Sequence, residues 1–286
     1  MGRTGFAFAL MDSSWWCFEP IPAFQGDARF VQIVRPEPFV NGDLAFARRF
    51  TDREITSLDR YLDALDALFE KAAAIGAKGL KVGLAYVRTL RFAEVVRADA
   101  ERIFLKGLGD ADAGERRAFG DFMMHEICRR ANDREMPFQI HTGIQARGFN
   151  VLSNTDPTHL TNLFRRYSKV RFDVFHSGYP YTSEAGLMAK YFPNVWIDMC
   201  WMTHISPVVY RRALDEYLDT VPCSKIFAWG GDHRIVDHTY GSWQLEREVL
   251  ADLLAERVER GAFTERVALG GAERILGTNA VEVYGL

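Results

Sequence analysis

The chain has 286 residues, 48% of them hydrophobic and 26% charged, a globular composition that excludes collagen-like, low-complexity and disordered readings and suits one α/β barrel. Its 35 basic and 38 acidic residues leave a net charge of −3, so there is no basic excess to neutralise a nucleic-acid backbone. No charge-free run of about 18 residues is present, which argues against a membrane span.

In chain order, seven apolar runs bounded by turn residues are predicted as strands: Gly5–Met11, Arg29–Val34, Gly79–Tyr86, Pro137–His141, Val170–His176, Val195–Met199 and Lys225–Trp229. They are continuous rather than alternating, as expected of parallel strands covered on both faces. Helical spacing appears between most of them. Ser57–Ile75 carries Leu58, Leu62, Leu65, Phe69 and Ala72 on one stripe, with a capping residue at its start and Gly76 at its end. Further helices are predicted at Phe119–Asn132, Thr158–Tyr167, Glu184–Tyr191, Pro207–Leu218, Tyr240–Arg260 and Glu265–Leu276. Asp12–Asp27 reads as an irregular loop and Gly107–Gly114 as a surface loop. Strand–helix alternation means a parallel sheet with right-handed crossovers, and no linker or repeat divides the chain, so a single domain over 1–286 is expected.

The four cysteines, Cys17, Cys128, Cys200 and Cys223, form no CxxC pair and read as reduced thiols of a cytoplasmic enzyme. The first 19 residues include Asp12 and lack a small-residue cleavage site, so they make a poor signal peptide.

In a barrel of this kind the reacting groups stand at the C-terminal ends of the strands. His141 ends one predicted strand, His176 ends the next, and Asp232 follows Trp229-Gly230-Gly231. Imidazole and carboxylate at one mouth suit Zn²⁺, with Mn²⁺ or Fe²⁺ as alternatives. Such an ion lowers the pKa of bound water to about 7, and Asp232 is placed to take its proton. Gly143, Gly178 and Gly230-Gly231 are expected to leave room for substrate. Lys81, Tyr86, Arg88, Tyr179 and Trp201 are the candidate substrate contacts, and Lys81, Arg88 and Arg234 hint at an anionic group. Tyr181 and Trp243 are either pocket walls or packing. Asp198 reads equally as a core polar group or as support for the site. His204, His233 and His238 fall in loops near the mouth, whereas His125 and His159 are read as structural.

The segments Gly79–Arg88, Gln139–Gly143, Phe175–Pro180 and Trp229–Asp232 together resemble the amidohydrolase superfamily, in its amidohydrolase-related branch of metal-dependent TIM-barrel hydrolases and decarboxylases. The resemblance implies that His141 and Asp232 bind metal and that His176 binds metal or polarises substrate. It also implies a small-molecule substrate, and it leaves room for a homodimer, with no nucleic-acid or membrane partner. Lys81 lies on the strand that supplies a carboxylated lysine in some dinuclear members, a role not expected here. The family begins with His-x-His on its first strand, but no His-x-His occurs in this sequence and the first histidine is His125. The expected fold is therefore a (β/α)₈ barrel lacking its first strand. Two functions follow: a metal-dependent hydrolase, or the related decarboxylase, acting on a small carboxylated or amide-bearing molecule, and a degenerate barrel without catalysis. An open sheet would also leave two edges inviting association.

Overall fold

A computed structural model describes residues 4–12, 26–233 and 235–286. Most of the predicted loop after the first strand, together with Cys17 and Arg234, lies outside the described residues.

Seven parallel strands form one curled sheet in the order of the sequence: β1 (Ala9–Asp12), β2 (Phe30–Val34), β3 (Gly79–Val82), β4 (Pro137–His141), β5 (Arg171–Phe175), β6 (Val195–Asp198) and β7 (Ile226–Phe227). All seven predicted strands are present, and the architecture is an incomplete TIM-like barrel. The register is longest between β4 and β5, where five residues pair, and shortest between β2 and β3 and between β6 and β7, where two do. β3, β4 and β7 are buried along their whole length, which is why their sequences show no alternation.

The crossover from β2 to β3 runs through α1 (Glu37–Val40), α2 (Leu44–Ala47) and α3 (Leu58–Ala74). The Ser57 side chain accepts from the Arg60 amide to cap α3, and the whole predicted stripe of this helix is buried. From β3 the chain passes through α4 (Arg97–Lys106) and α5 (Ala113–Asp133). α5 begins six residues before the predicted Phe119, because a reciprocal Asp112–Glu115 capping box starts it in a stretch with no apolar stripe. The later crossovers carry α6 (Thr161–Arg166), α7 (Thr182–Tyr191), α8 (Met202–Ile205) and α9 (Pro207–Thr220), and β7 is followed by α10 (Val236–Glu259), α11 (Glu265–Glu273) and α12 (Asn279–Tyr284).

Among the described residues no strand joins β1 to β7, yet the free edge of β7 is not bare. The Ala228 amide donates to the Ile275 carbonyl, which belongs to a π-turn at Arg274–Thr278 between α11 and α12. A π-turn frees a carbonyl from the helical ladder. The Asn279 amide group donates to the carbonyls of Cys223 and Ile226 at 2.7 and 2.8 Å. Intrachain groups thus take up the polar atoms that an eighth strand or a second molecule would use. Ahead of β1, Phe6 stacks on Trp229 at 4.7 Å and meets Trp243 edge-on, so an aromatic cluster links the two sides of the gap.

The N-terminal end of the barrel is plugged by Tyr284. Its hydroxyl donates to Asp173 and accepts from Gln139, and the Lys78 amine donates to the Gly285 carbonyl. A cleft of about 680 Å³ at this end is lined by Arg171, Trp196 and Lys225. Two of its cations are already paired, Arg171 with the Glu135 carbonyl and Lys225 with the carbonyls of Ala189 and Phe192. This end of the fold is built for stability.

Candidate metal centre at the barrel mouth

The strand ends bring His141, His176 and Asp232 together at the C-terminal mouth. His141 is the last residue of β4 and His176 immediately follows β5, so the long β4–β5 register fixes their relative height. Both are buried, His176 completely.

The hydrogen-bond partners of the two rings determine where their protons sit. His176 Nδ1 lies 2.8 Å from the Cys200 carbonyl. A carbonyl only accepts, so Nδ1 carries the hydrogen and Nε2 keeps its lone pair. His141 Nε2 lies 2.9 Å from the Ile144 carbonyl, so by the same reasoning His141 Nδ1 is unprotonated. These two unprotonated nitrogens face each other at 3.1 Å. Burial holds the pKa of His141 well below its usual value, reinforced by His176 and Lys81, and lowers that of His176 to about 4. Near neutral pH there is accordingly no extra proton for the pair to share, and two lone pairs confront one another.

A cation relieves that conflict. Two imidazole nitrogens about 2.0–2.1 Å from a tetrahedral Zn²⁺ stand roughly 3.3 Å apart, close to the observed spacing. The pair also has the supporting groups that orient metal-binding histidines, since each ring donates its second nitrogen to a fixed carbonyl. Asp232 Oδ2 lies 3.8 Å from His176 Nε2, and its side chain is 46% exposed. The donor set fits a divalent ion as two nitrogens with a carboxylate nearby. Among the described residues, however, no group of three or more His, Cys, Asp or Glu stands at binding distance.

The backbone is strained to build this arrangement. Six non-glycine residues have positive φ among the described residues, and four of them, His176, Ser177, Trp201 and Asp232, are at the mouth. Such conformations cost about 1–3 kcal/mol each and cluster at functional sites. Gly143 (φ +63°) does not make room for substrate as the sequence suggested. A Cβ there would lie 2.4 Å from the Gly178 carbonyl carbon and the Tyr179 oxygen, so its missing side chain lets the loop after His141 press against the loop after His176. The space beside Gly178 is filled by Pro157 and Ala185, and that beside Gly230 by Cys200. These glycines serve close packing.

The remaining candidates divide. The Tyr86 ring is 4.8 Å from the His141 ring, and its hydroxyl accepts from the Ala146 amide. Trp201 lies 5.6 Å from the His176 ring. Lys81 is buried on β3 with its amine 3.0 Å from the centre of the Phe175 ring and without a hydrogen-bond partner. Burial lowers its pKa despite the carboxylates of Asp232 and Asp12. Arg88 is not brought to the mouth: its guanidinium pairs with Asp121 and the Arg91 carbonyl. Tyr179 contributes backbone against Gly143 while its ring packs on the core. Asp198 supports the site at one remove. Its carboxylate accepts from the Cys200 amide at 2.6 Å, and the Cys200 carbonyl in turn holds His176. His125 and His159 are structural, bonded to Tyr167 and to the Ser153 carbonyl.

Sequence reasoning missed a further strand-end pair. Asp12 ends β1 and Arg35 follows β2, and the two form a bidentate salt bridge with contacts of 2.7 and 2.6 Å. Burial works against the Arg35 charge, but Asp12 and Glu37 outweigh it and raise its pKa. The signal was available, because both residues occupy the same station as the histidines.

Comparisons with known proteins agree with this fold. The sequence pattern of the amidohydrolase family matches residues 43–286. Protein fluG of Emericella nidulans is 34% identical over 157 residues, covering 52% of this chain but only 17% of that protein. Among solved structures, the glucuronate isomerase of Caulobacter crescentus superposes with a TM-score of 0.82 at 17% identity, covering 99% of this chain and 65% of its own. A uronate isomerase from Bacillus halodurans gives 0.72 at 15% identity, over 98% of this chain and 65% of that one. A proposed metal-dependent hydrolase from Lactobacillus casei gives 0.73 at 19% identity, over 90% and 65%. This chain therefore spans less than two thirds of the length of these structures, and at such identities they share its fold. The family pattern, covering most of the chain, places this protein in the amidohydrolase family.

Proposed function

We propose that the protein is a metal-dependent hydrolase acting on a small carboxylated or amide-bearing molecule. The observation that carries this reading is the pair of unprotonated nitrogens, His141 Nδ1 and His176 Nε2, facing each other at 3.1 Å. A divalent ion, most simply Zn²⁺, supplies Lewis-acid activation of water near neutral pH when bound. His141 and His176 would hold it, and Asp232 would complete the ligand set and be placed to accept a proton from water. The Cys200 carbonyl, which takes the Nδ1 hydrogen of His176, fixes the ring in this orientation. Tyr86 and Trp201 flank the two histidines as walls, and the unpartnered amine of Lys81 attracts a substrate carboxylate. The isomerases among the structural neighbours share only the fold, so they do not select an isomerase reaction.

One observation favours a second reading, a barrel that binds without turnover. A catalytic zinc needs three protein ligands in good geometry, whereas among the described residues only two nitrogens are at that spacing. A metal-stripped and reloaded preparation separates the readings when assayed on N-acyl amino acids, lactones and aromatic carboxylates. Metal-dependent hydrolysis that is lost in His141→Ala and Asp232→Asn supports the hydrolase. Carbon dioxide release from a carboxylate substrate supports the decarboxylase of the same family. Stoichiometric metal without turnover on any class supports the binding barrel.

A further inference from the structure

We propose that His204, His233 and His238 form a second divalent-cation site at the rim of the mouth, distinct from the His141–His176 pair and suited to a borderline ion such as Zn²⁺, Co²⁺ or Ni²⁺. His204 comes from α8, His233 follows Asp232, and His238 lies in the first turn of α10. Each ring neighbours both of the others, with centres 5.1 Å apart for His204 and His233, 5.8 Å for His204 and His238, and 5.9 Å for His233 and His238. Imidazoles sharing one tetrahedral ion, each nitrogen about 2.0–2.1 Å from it, have ring centres roughly 5 Å apart. One pair already has that spacing, and the other two are wider by less than about 1 Å. The trio is not yet at binding distance. Closing it requires rotation of His204 and His238, which are exposed, so the movement breaks no core contact.

The hydrogen bonds of His233 prepare it as a ligand. The Ser242 hydroxyl donates to the Thr239 carbonyl at 3.2 Å. Its oxygen is then left to accept from His233 Nε2 at 3.1 Å, and the unprotonated nitrogen of His233 is Nδ1. A second ring nitrogen tied to a fixed acceptor is the usual support of a metal-binding histidine. The Trp201 indole separates this rim trio from the inner pair, lying nearly parallel to His204 at 6.2 Å and edge-on to His176 at 5.6 Å. The two sites are therefore spatially distinct, although Asp232 and His233 are adjacent in the chain, and they are not the closely bridged arrangement in which two ions about 3.5–4 Å apart clamp one substrate. By contrast, His125 and His159 stand singly, each bonded to other protein groups, and have no second imidazole to share an ion with.

The test uses the full chain, stripped with chelator, reloaded with Co²⁺ near neutral pH, and followed by elemental analysis and visible absorption, with far-UV circular dichroism as the fold control. The double variant His204→Ala/His238→Ala is expected to lose one equivalent of Co²⁺, its affinity at the rim falling by more than about 100-fold. The variant His141→Ala/His176→Ala is expected to keep that equivalent. Ser242→Ala is expected to weaken the rim ion about tenfold, the lower end for loss of an outer partner. If the wild type holds a single equivalent that the rim variant abolishes, the rim site stands and the inner metal reading fails. If the folded rim variant binds Co²⁺ with the stoichiometry and affinity of the wild type, the rim proposal is overturned.

Discussion

Gly143→Ala is the sharpest single perturbation of this centre. The added methyl would meet the Gly178 carbonyl carbon and the Tyr179 oxygen at 2.4 Å and the Tyr179 nitrogen at 2.5 Å. All three are backbone atoms of the loop that follows His176, so no side-chain rotation relieves the clash. The residue also sits at φ +63°, where an L side chain costs about 1–2 kcal/mol. Overpacking against fixed neighbours adds roughly 1–3 kcal/mol, for a total of about 2–5 kcal/mol. In a chain of this size each kcal/mol lowers the melting temperature by roughly 2 °C, so thermal unfolding followed by circular dichroism should show a drop of about 4–10 °C. The loops must part to admit the methyl, which separates His141 from His176, so Zn²⁺ affinity measured by chelator competition should fall as well. Gly270→Ala is the internal control. It lies in α11, where an added Cβ would meet nothing within 4 Å, and there alanine is neutral or stabilises by up to about 1 kcal/mol. A Gly143→Ala protein with wild-type melting temperature and unchanged metal affinity would refute the claim that this glycine holds the two histidine loops together.

Asn279→Ala removes both side-chain hydrogen bonds that hold the β7 edge and strands the carbonyls of Cys223 and Ile226, a loss of about 2–4 kcal/mol in denaturant unfolding. A melt unchanged from wild type would show that the edge is held otherwise. Zn²⁺ at about 100 times the dissociation constant of the inner site should stabilise the wild type by about 2.7 kcal/mol through that site, and His141→Ala/His176→Ala should lose that contribution. A fold-competent double variant with the full rise would place all metal stabilisation elsewhere. One contribution to the pH dependence comes from Asp198, whose pKa burial raises to about 7. The folded protein then retains this proton up to about pH 7 while the unfolded chain loses it near the ordinary value of 3.8. The associated stability is fully present below about pH 4 and is lost as pH rises through 7. Asp198→Asn, which keeps an acceptor for the Cys200 amide, should remove this falling contribution, so that the metal-free unfolding midpoint falls less or rises more with pH across that window than in the wild type; an unchanged slope would assign the titration to another group.

Much of this molecule is legible in the sequence because buried parallel strands advertise themselves. The runs around Phe138, Phe172 and Ile197 are largely apolar without strict alternation, and each became a strand. The strand ends were harder, because partners remote in sequence decide them. The run Gly79–Tyr86 stops pairing at Val82 because the Gly83 amide donates to the Glu37 carboxylate at 2.5 Å and the chain turns at Leu84–Tyr86. The run Lys225–Trp229 shortens because the Ala228 amide turns to the Ile275 carbonyl. Helix α4 escaped notice because it buries only Ala100, Ile103 and Phe104, too few to print a stripe. In the site, the imidazoles and the carboxylate could be named from spacing alone. The carbonyls of Ile144 and Cys200, which decide the tautomers, could not, since a backbone acceptor leaves no mark on residue identity.

The support of the three inner groups is uneven, and that has a consequence for what this centre can do. His141 and His176 stand on β4 and β5, which share five residues of register, and each ring is locked by a carbonyl. Asp232 follows β7, which pairs over only two residues and borrows its outer-edge bonds from Ile275 and Asn279. Asp232 is also the half-exposed member of the set, 3.8 Å from its nearest histidine nitrogen. The nitrogen pair is therefore the rigid element and the carboxylate the adjustable one. On the proposed function, a divalent ion would be held first by the fixed nitrogen pair, and Asp232 would have to move closer to complete the ligand set. That division would suit the two roles proposed for Asp232, metal ligand and proton acceptor, and it makes the loop after the weakly paired β7 the part of the centre most sensitive to substitution.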